Sequence, residues 1–284
     1  MTNNILDKGN KPAVISAIMK EQTTERGRNV INHTMDIHGG SAICLGPNNF
    51  SEKFYQGIPV GITVEGSNTL TRNLIIFGQG LNKSHPHIYN IYDSIIKDDI
   101  DSFKLNFNKM IKHSLNMLFN SYFANLGKEE ISRQTVDFAN LSNFVALLGG
   151  AIKKNQSISG DMADILSNLY LAYSIIWYED NYNVSPVMRD YCLDRLYYEN
   201  SLLFNRVIDN YPSSLRFLLK NMKRNIKSLD YDENRNLLQE LNQNHLIMQK
   251  IRENIYIDDS LKKLSSLDLV RDKEYKKTYN EIVS

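Results

Sequence analysis

Helical periodicity constrains this chain more than any other feature. From Phe103 through Phe107, Met110, Ile111, Leu115, Leu118 and Phe119, apolar residues recur every three or four positions. Phe138, Leu141, Val145, Leu148 and Ile152 repeat the pattern. On a helix such spacing builds one apolar face, whereas a half-buried strand alternates at every second residue. Strand-like alternation never persists long enough for a complete sheet, and there is no internal repeat. The spacing is too uneven for a sustained coiled-coil heptad, so the pattern predicts an all-α globular bundle.

Capping and breaking residues divide this bundle. Pro12 suits an early helical position, and a long helix is expected from there to Ile37, weakened slightly by Gly27. Gly39-Gly40 and Gly46-Pro47 should stop it, leaving loop and short turns over 39–61, with Phe50, Phe54 and Tyr55 as anchors. Ser67 can cap a helix running to Phe77, which Gly78 and Gly80 should end. Ser84-His85-Pro86-His87 reads as a turn. Further helices are expected near 87–98, 100–126, 131–154, 159–180, 185–210 and 213–227. Beyond Leu229 the chain is more polar, with weaker helical patterns near 234–254 and 259–280.

Composition excludes several functional classes. The 284 residues, 42% of them hydrophobic, suffice for a substantial core. Lys and Arg total 33 against 32 Asp and Glu, so the +1 formal charge gives no broad field and implies no nucleic-acid partner. Cys44 and Cys192 are too few for a disulfide framework, which points to a reducing compartment. Neither a secretory signal nor a spanning apolar segment is evident. The expected location is the cytoplasm, with peripheral attachment to the inner membrane left open.

Two segments carry chemical interest. Glu65 follows the short apolar run Ile62, Thr63 and Val64, which should shelter it, and Gly66 leaves room for a ligand near the backbone. A carboxylate shielded from water can serve as a base near neutral pH, whereas a solvated one simply caps a helix; both readings fit Glu65. His38, Gly39 and Gly40 either terminate a helix or bring bare backbone close to a phosphate. His85 and His87 have the spacing of a metal pair without a third ligand in sequence, and the turn reading is preferred. Arg72 suits a cofactor contact, an interface or a surface ion pair.

Taken together, Met35-Asp36-Ile37-His38-Gly39-Gly40, Ile62-Thr63-Val64-Glu65-Gly66 and Leu70-Thr71-Arg72 resemble the late part of an acyl-CoA dehydrogenase. Leu74-Ile75-Ile76-Phe77-Gly78-Gln79-Gly80, His85-Pro86, Leu147 to Lys154, Gly160 to Ser167 and Leu169 to Ala172 resemble the extra helical C-terminal region of its long bacterial subfamily. The resemblance covers about residues 10–210 and fades in the tail. It implies a division into an incomplete C-terminal bundle at 1–82, a helical extension at 83–228 and a tail at 229–284. It further implies FAD as cofactor and saturated acyl-CoA as substrate, with Glu65 as the catalytic base. His38, Gly39, Gly40, Ser67 and Thr69 match flavin-contacting positions, and Glu65 and Gly66 match substrate-contacting ones. Asp36 stands where glutamine is more usual, and the family's threonine-serine-glutamine run after the glutamate is absent.

Such relatives also carry an N-terminal helical domain and a middle β domain. The expectation is therefore a fragment or split subunit completed by an N-terminal enzyme piece, with a homo-oligomer and an electron-transfer partner also implied. An inactive remnant and a helical assembly protein are the alternatives.

Overall fold

A computed structural model describes residues 1–249, apart from 47, 48, 50, 125–127, 183, 213, 227, 245, 246, 248. The expected all-α class holds: the described residues form helices and turns without a strand. The helices are α1 (Thr2–Asp7), α2 (Ala13–His38), α3 (Gly40–Ile43), α4 (Glu52–Thr63) and α5, followed by α6 (Ile88–Ile96) and α7 (Ile100–Phe119). Next come α8 (Glu130–Ala146), α9 (Gln156–Asn181), α10 (Pro186–Asn210), α11 (Arg216–Leu219) and α12 (Tyr231–Gln243). In α5, α-helical ends Asn68–Leu70 and Gly80–Ser84 flank a π-helical centre, Thr71–Gln79. None of the described helices is long and apolar enough to cross a membrane.

The chain divides into two compact units, residues 1–22 with 65–238, and residues 23–64 with the described residues from 239 on. In the larger unit α9 is the central element, packed against α10 and the π-helical centre of α5. Its core joins Ile76 and Phe77 of α5, Leu141 and Val145 of α8, Met162 and Ile165 of α9, and Phe204, Val207 and Ile208 of α10. Tyr211 is also buried, and its hydroxyl donates to the Phe144 carbonyl at 2.7 Å, so its polar end is satisfied within the core.

A polar clasp crosses this core. Arg72, in the π-helical stretch, donates through Nε and Nη2 to the two carboxylate oxygens of Asp164, at 2.7 and 2.5 Å. Its Nη2 also lies 3.4 Å from Asp161, while Arg206 of α10 makes two 2.6 Å bonds to that same carboxylate. Ser159 donates to the Asn73 carbonyl at 2.5 Å. Gly160 makes the approach feasible, because a Cβ there would stand 2.3 Å from Arg72 Nη1. The hydrogen bond to Asp164, the largest effect, holds the Arg72 guanidinium above its ordinary pKa.

A second arginine is buried more completely. Arg224 bonds Glu130 and Asp137 of α8, each at 2.5 Å, and lies 5.2 Å from the Phe204 ring centroid. Asn205 holds the Arg224 backbone, donating to its carbonyl at 2.9 Å and accepting from its N–H at 2.8 Å. This stitches the chain after α11 back onto α10.

In the smaller unit, α2 and α4 approach through small residues. A Cβ at Gly27 would lie 3.3 Å from Ile58, and one at Gly61 would lie 3.3 Å from Thr24. Asn49 accepts from the N–H groups of Ser51 and Glu52 and donates to the Ala42 carbonyl, tying the start of α4 to α3.

Several expected boundaries shift for local reasons. Residues 39–61 are not mainly loop, since α3 and most of α4 lie there. Pro59 inside α4 forgoes only one backbone bond, and Gly61 of the same helix serves a close approach to Thr24. Phe54 and Tyr55 do not anchor the segment but are about half exposed, while Phe50 is outside the described residues. Gly78 and Gly80 do not end α5, which runs to Ser84; a Cβ at Gly80 would lie 3.4 Å from Val14. The helix expected over 131–154 breaks after Ala146, where Gly149 takes φ +52° and a 3-10 segment follows. The stretch expected at 213–227 is reduced to α11 and one 3-10 turn. The tail helix expected at 259–280 lies outside the described residues.

Gly160→Ala is expected to expel Arg72 and cost about 1–3 kcal/mol in urea unfolding. The same change in an Arg72→Met background should cost clearly less, since the clash partner has been shortened. Equal costs in the two backgrounds would remove Gly160 from the clasp.

Candidate functional site

The segment around Glu65 owes its shape to an abrupt change of backbone. Val64 is extended after α4, and Glu65 and Gly66 then take φ values of +53° and +87°. Glycine adopts that left-handed region freely, but a glutamate there is strained and held by its surroundings. Ser67 returns to an extended conformation, and its Oγ accepts from the Leu70 N–H at 3.4 Å, capping α5.

Lys20 of α2 supplies much of the hold. Its Nζ donates to the Gly66 carbonyl at 2.8 Å and to Asn68 Oδ1 at 2.6 Å. Thr71 Oγ1 donates to the same carbonyl at 3.4 Å, and both Asn68 and Thr71 are buried. Lys20 carried no signal in sequence, because an isolated lysine more than forty residues upstream resembles any solvated helix residue.

The expectation that Ile62, Thr63 and Val64 shelter Glu65 is not met. Ile62 is buried, but Thr63, Val64 and Glu65 are exposed. The run closes an amphipathic helix, so only its inward-facing residue is covered. Ser67 and Thr69 are likewise exposed and Gly66 is half-buried.

His38, the last residue of α2, is exposed, and Gly39 turns the backbone with φ +54° before Gly40 opens α3. The Gly39 N–H donates to the Met35 carbonyl at 2.9 Å, and Ser41 Oγ donates to the His38 carbonyl at 2.8 Å. A Cβ at Gly39 or Gly40 would meet nothing within 4 Å. This open backbone leaves room for a phosphate oxygen beside Gly39 and Gly40, and in the larger unit Ser67 and Thr69 carry exposed hydroxyls. His38, Gly39 and Gly40 belong to the smaller unit, and Glu65, Gly66, Ser67 and Thr69 to the larger.

Arg72 has the ion-pair role among its three readings, and its pair lies against α9 rather than out on the surface. The His85-Pro86-His87 turn is present and His113 of α7 joins it, but no three His, Cys, Asp or Glu among the described residues are arranged to hold a metal. A polar cavity of about 1160 Å³ is bordered by Glu130, Asp137, Asp194, Tyr197, Lys223 and Arg224, among others. Burial, aided by Glu130, pushes the Tyr197 hydroxyl up to about 12. No residue nominated from sequence lines this cavity, and Glu130, Asp137, Lys223 and Arg224 are already ion-paired within the protein.

Lys20→Met is expected to release the Gly66 carbonyl and lower unfolding free energy by about 1 kcal/mol. Glu65→Gly should raise it by roughly 0.5–1 kcal/mol by relieving the left-handed strain. Chemical denaturation of both variants checks the pinned turn, and a destabilised Glu65→Gly protein would contradict it.

No solved structure matches the chain. Residues 82–269 match the family described as Acyl-CoA dehydrogenase, C-terminal, bacterial type. The matched stretch holds α6 to α12 and two carboxylates of the Arg72 clasp, whereas Glu65 and the His38–Gly40 turn precede it. With most of its length covered by that match, the chain belongs to the bacterial-type acyl-CoA dehydrogenase C-terminal family.

Proposed function

We propose that this chain serves as the C-terminal part of an FAD-dependent acyl-CoA dehydrogenase, oxidising saturated acyl-CoA to trans-2-enoyl-CoA in fatty-acid beta-oxidation. The remainder of the enzyme completes the site, whether it is carried on the same or a separate polypeptide. Family membership supports the reaction class. The observation that carries the assignment to a residue is the exposed Glu65 carboxylate on a strained turn pinned by Lys20.

Ser67 and Thr69 of the larger unit, and separately His38, Gly39 and Gly40 of the smaller one, would be contacts for FAD, which when bound would supply the acceptor for the hydride from the substrate's beta carbon. The Glu65 carboxylate takes the alpha proton, and the electrons of that C–H bond form the new double bond. The Glu65 backbone N–H donates to the thioester carbonyl, stabilising the negative charge that develops there. Gly66 keeps the adjacent backbone open, with Thr71 Oγ1 3.5 Å from where a Cβ would stand. Covering of the exposed carboxylate by acyl-CoA and the rest of the enzyme removes water from it and strengthens it as a base.

A second reading, a helical assembly protein without catalysis, is favoured by exposed apolar residues on α6 and α7, including Tyr89, Ile96, Phe107 and Leu115. The two readings part in one experiment. The chain is purified alone and with the N-terminal part of such an enzyme, and flavin absorbance is followed as saturated acyl-CoAs of several lengths are added. Bleaching in the mixture is the expected result. A stable homo-oligomer that binds neither flavin nor acyl-CoA in any combination would favour assembly. In the active mixture, Glu65→Gln should keep flavin bound and slow bleaching by about 10²–10⁴-fold. Near-normal turnover in that variant would rule out Glu65 as the base.

A further inference from the structure

Three histidines form a cluster apart from the proposed catalytic residues. His85 and His87 lie in the turn between α5 and α6, and His113 comes against them from α7. Ring centroids are 5.4 Å apart for His85 and His113, 5.9 Å for His87 and His113, and 6.0 Å for His85 and His87. Each pair meets edge to face, with interplanar angles of 80°, 81° and 68° respectively. All three side chains are partly buried. The His87 backbone N–H donates to His85 Nδ1 at 3.2 Å, which leaves the proton of a neutral His85 on Nε2.

The charged groups of the adjoining elements do not balance a charge on these rings. On the α6 side, Asp93 bonds Lys97 at 2.7 Å. On α8, Glu130 and Asp137 hold Arg224. On α7 itself, Lys109 and Lys112 are exposed. Burial and then the positive charges of His113 and His87 hold His85 below the ordinary imidazole value. Burial and then His87 do the same to His113. Adding a proton therefore places like charges together in a half-dry contact, and no carboxylate among the described residues offsets them.

Beyond this contact the two helices pack on each other, and α7 also lies on α8, with Leu118 partly buried against the core. Among described residues α7 buries no side chain, and α6 buries only Ser94. Segments with so few buried apolar contacts open at small free-energy cost, so a modest electrostatic change decides their docking.

We propose that His85 and His113, packed around the ring of His87, form a proton-operated clasp that holds α6 and α7 against the end of α5 when uncharged and releases them when charged. The sign follows from linkage. Imidazoles with folded-state values below the ordinary 6.5 bind fewer protons in the closed form than in the open one. The clasp is at full strength above pH 6.5 and weakens as pH falls from there through the lowered values. Release changes how the apolar side chains of α6 and α7 are presented.

The test is hydrogen exchange of the full chain at pH 7.5 and 5.0, corrected for intrinsic exchange rates. Amides in 88–119 should lose about tenfold or more of their protection at the lower pH, while α9 and α10 keep theirs. His113→Phe preserves an aromatic edge contact without a titrating proton and should abolish most of that difference. Unchanged protection of 88–119 in the wild-type chain would overturn the proposal, as would full acid sensitivity persisting in His113→Phe. Should that variant fail to fold, imidazole titrations of the wild-type chain by NMR decide: midpoints for His85 and His113 at or above 6.5 would also overturn it.

Discussion

A guanidinium leaves water only where other groups replace its hydration, and in the larger unit that requirement organises the packing. Arg72 points from α5 into the surface of α9, where Asp164 meets it with both oxygens and Asp161 is shared with Arg206. Three helices are thereby tied by charge-assisted bonds whose geometry tolerates little sliding. The residue between these partners must be small, and Gly160 is. The apolar core around Met162 and Phe204 supplies the larger hydrophobic contribution, but the clasp sets the register in which those side chains interdigitate. Arg224 repeats the principle on α8, with Asn205 holding its backbone and a ring beneath its charge.

The Glu65 turn works differently. No large group is desolvated there; instead one carbonyl is held by Lys20 and Thr71 while two consecutive residues adopt left-handed backbone. Such a turn presents its carboxylate outward and leaves its shielding to whatever binds. The polar cavity beside Arg224 has the opposite character, with several of its charges already matched inside the protein.

Much of this was legible in sequence because helical periodicity is a local property. The stripe through Phe138, Leu141 and Val145 leads directly to α8, and Pro186 marks the start of α10 within one residue of expectation. Glycines were harder to read. Gly27, Gly61, Gly80 and Gly160 look alike in sequence, yet each serves a close approach set by a distant partner, and taking Gly80 for a breaker ends α5 too early. The exposure of Glu65 was lost for a related reason: an apolar run reports that something is buried, but only a helix's phase says which residue. Lys20 and His113, which meets the turn from α7, were invisible, since long-range polar pairs leave no periodic trace. Belonging to the acyl-CoA dehydrogenase C-terminal family was readable from motifs; what those motifs do was not. Gly160, Asp161 and Asp164, prominent in the resemblance, prove to be the seat of Arg72.

The π-helical centre of α5 has a consequence for how this chain tolerates change in length. Hydrogen bonds there span one residue more than in an α-helix, so Thr71–Gln79 behaves like a helix that has absorbed an insertion without breaking. Removing one residue from it would restore ordinary α geometry at no cost in backbone bonding. The residues before and after the deletion would keep nearly their original phase, because the wide turn had already taken up the extra residue. Arg72 and Ile76 would stand one residue closer together while still serving α9 and the core. The wide turn is thus the place where this helix can change its length by one residue and keep both ends facing the same way.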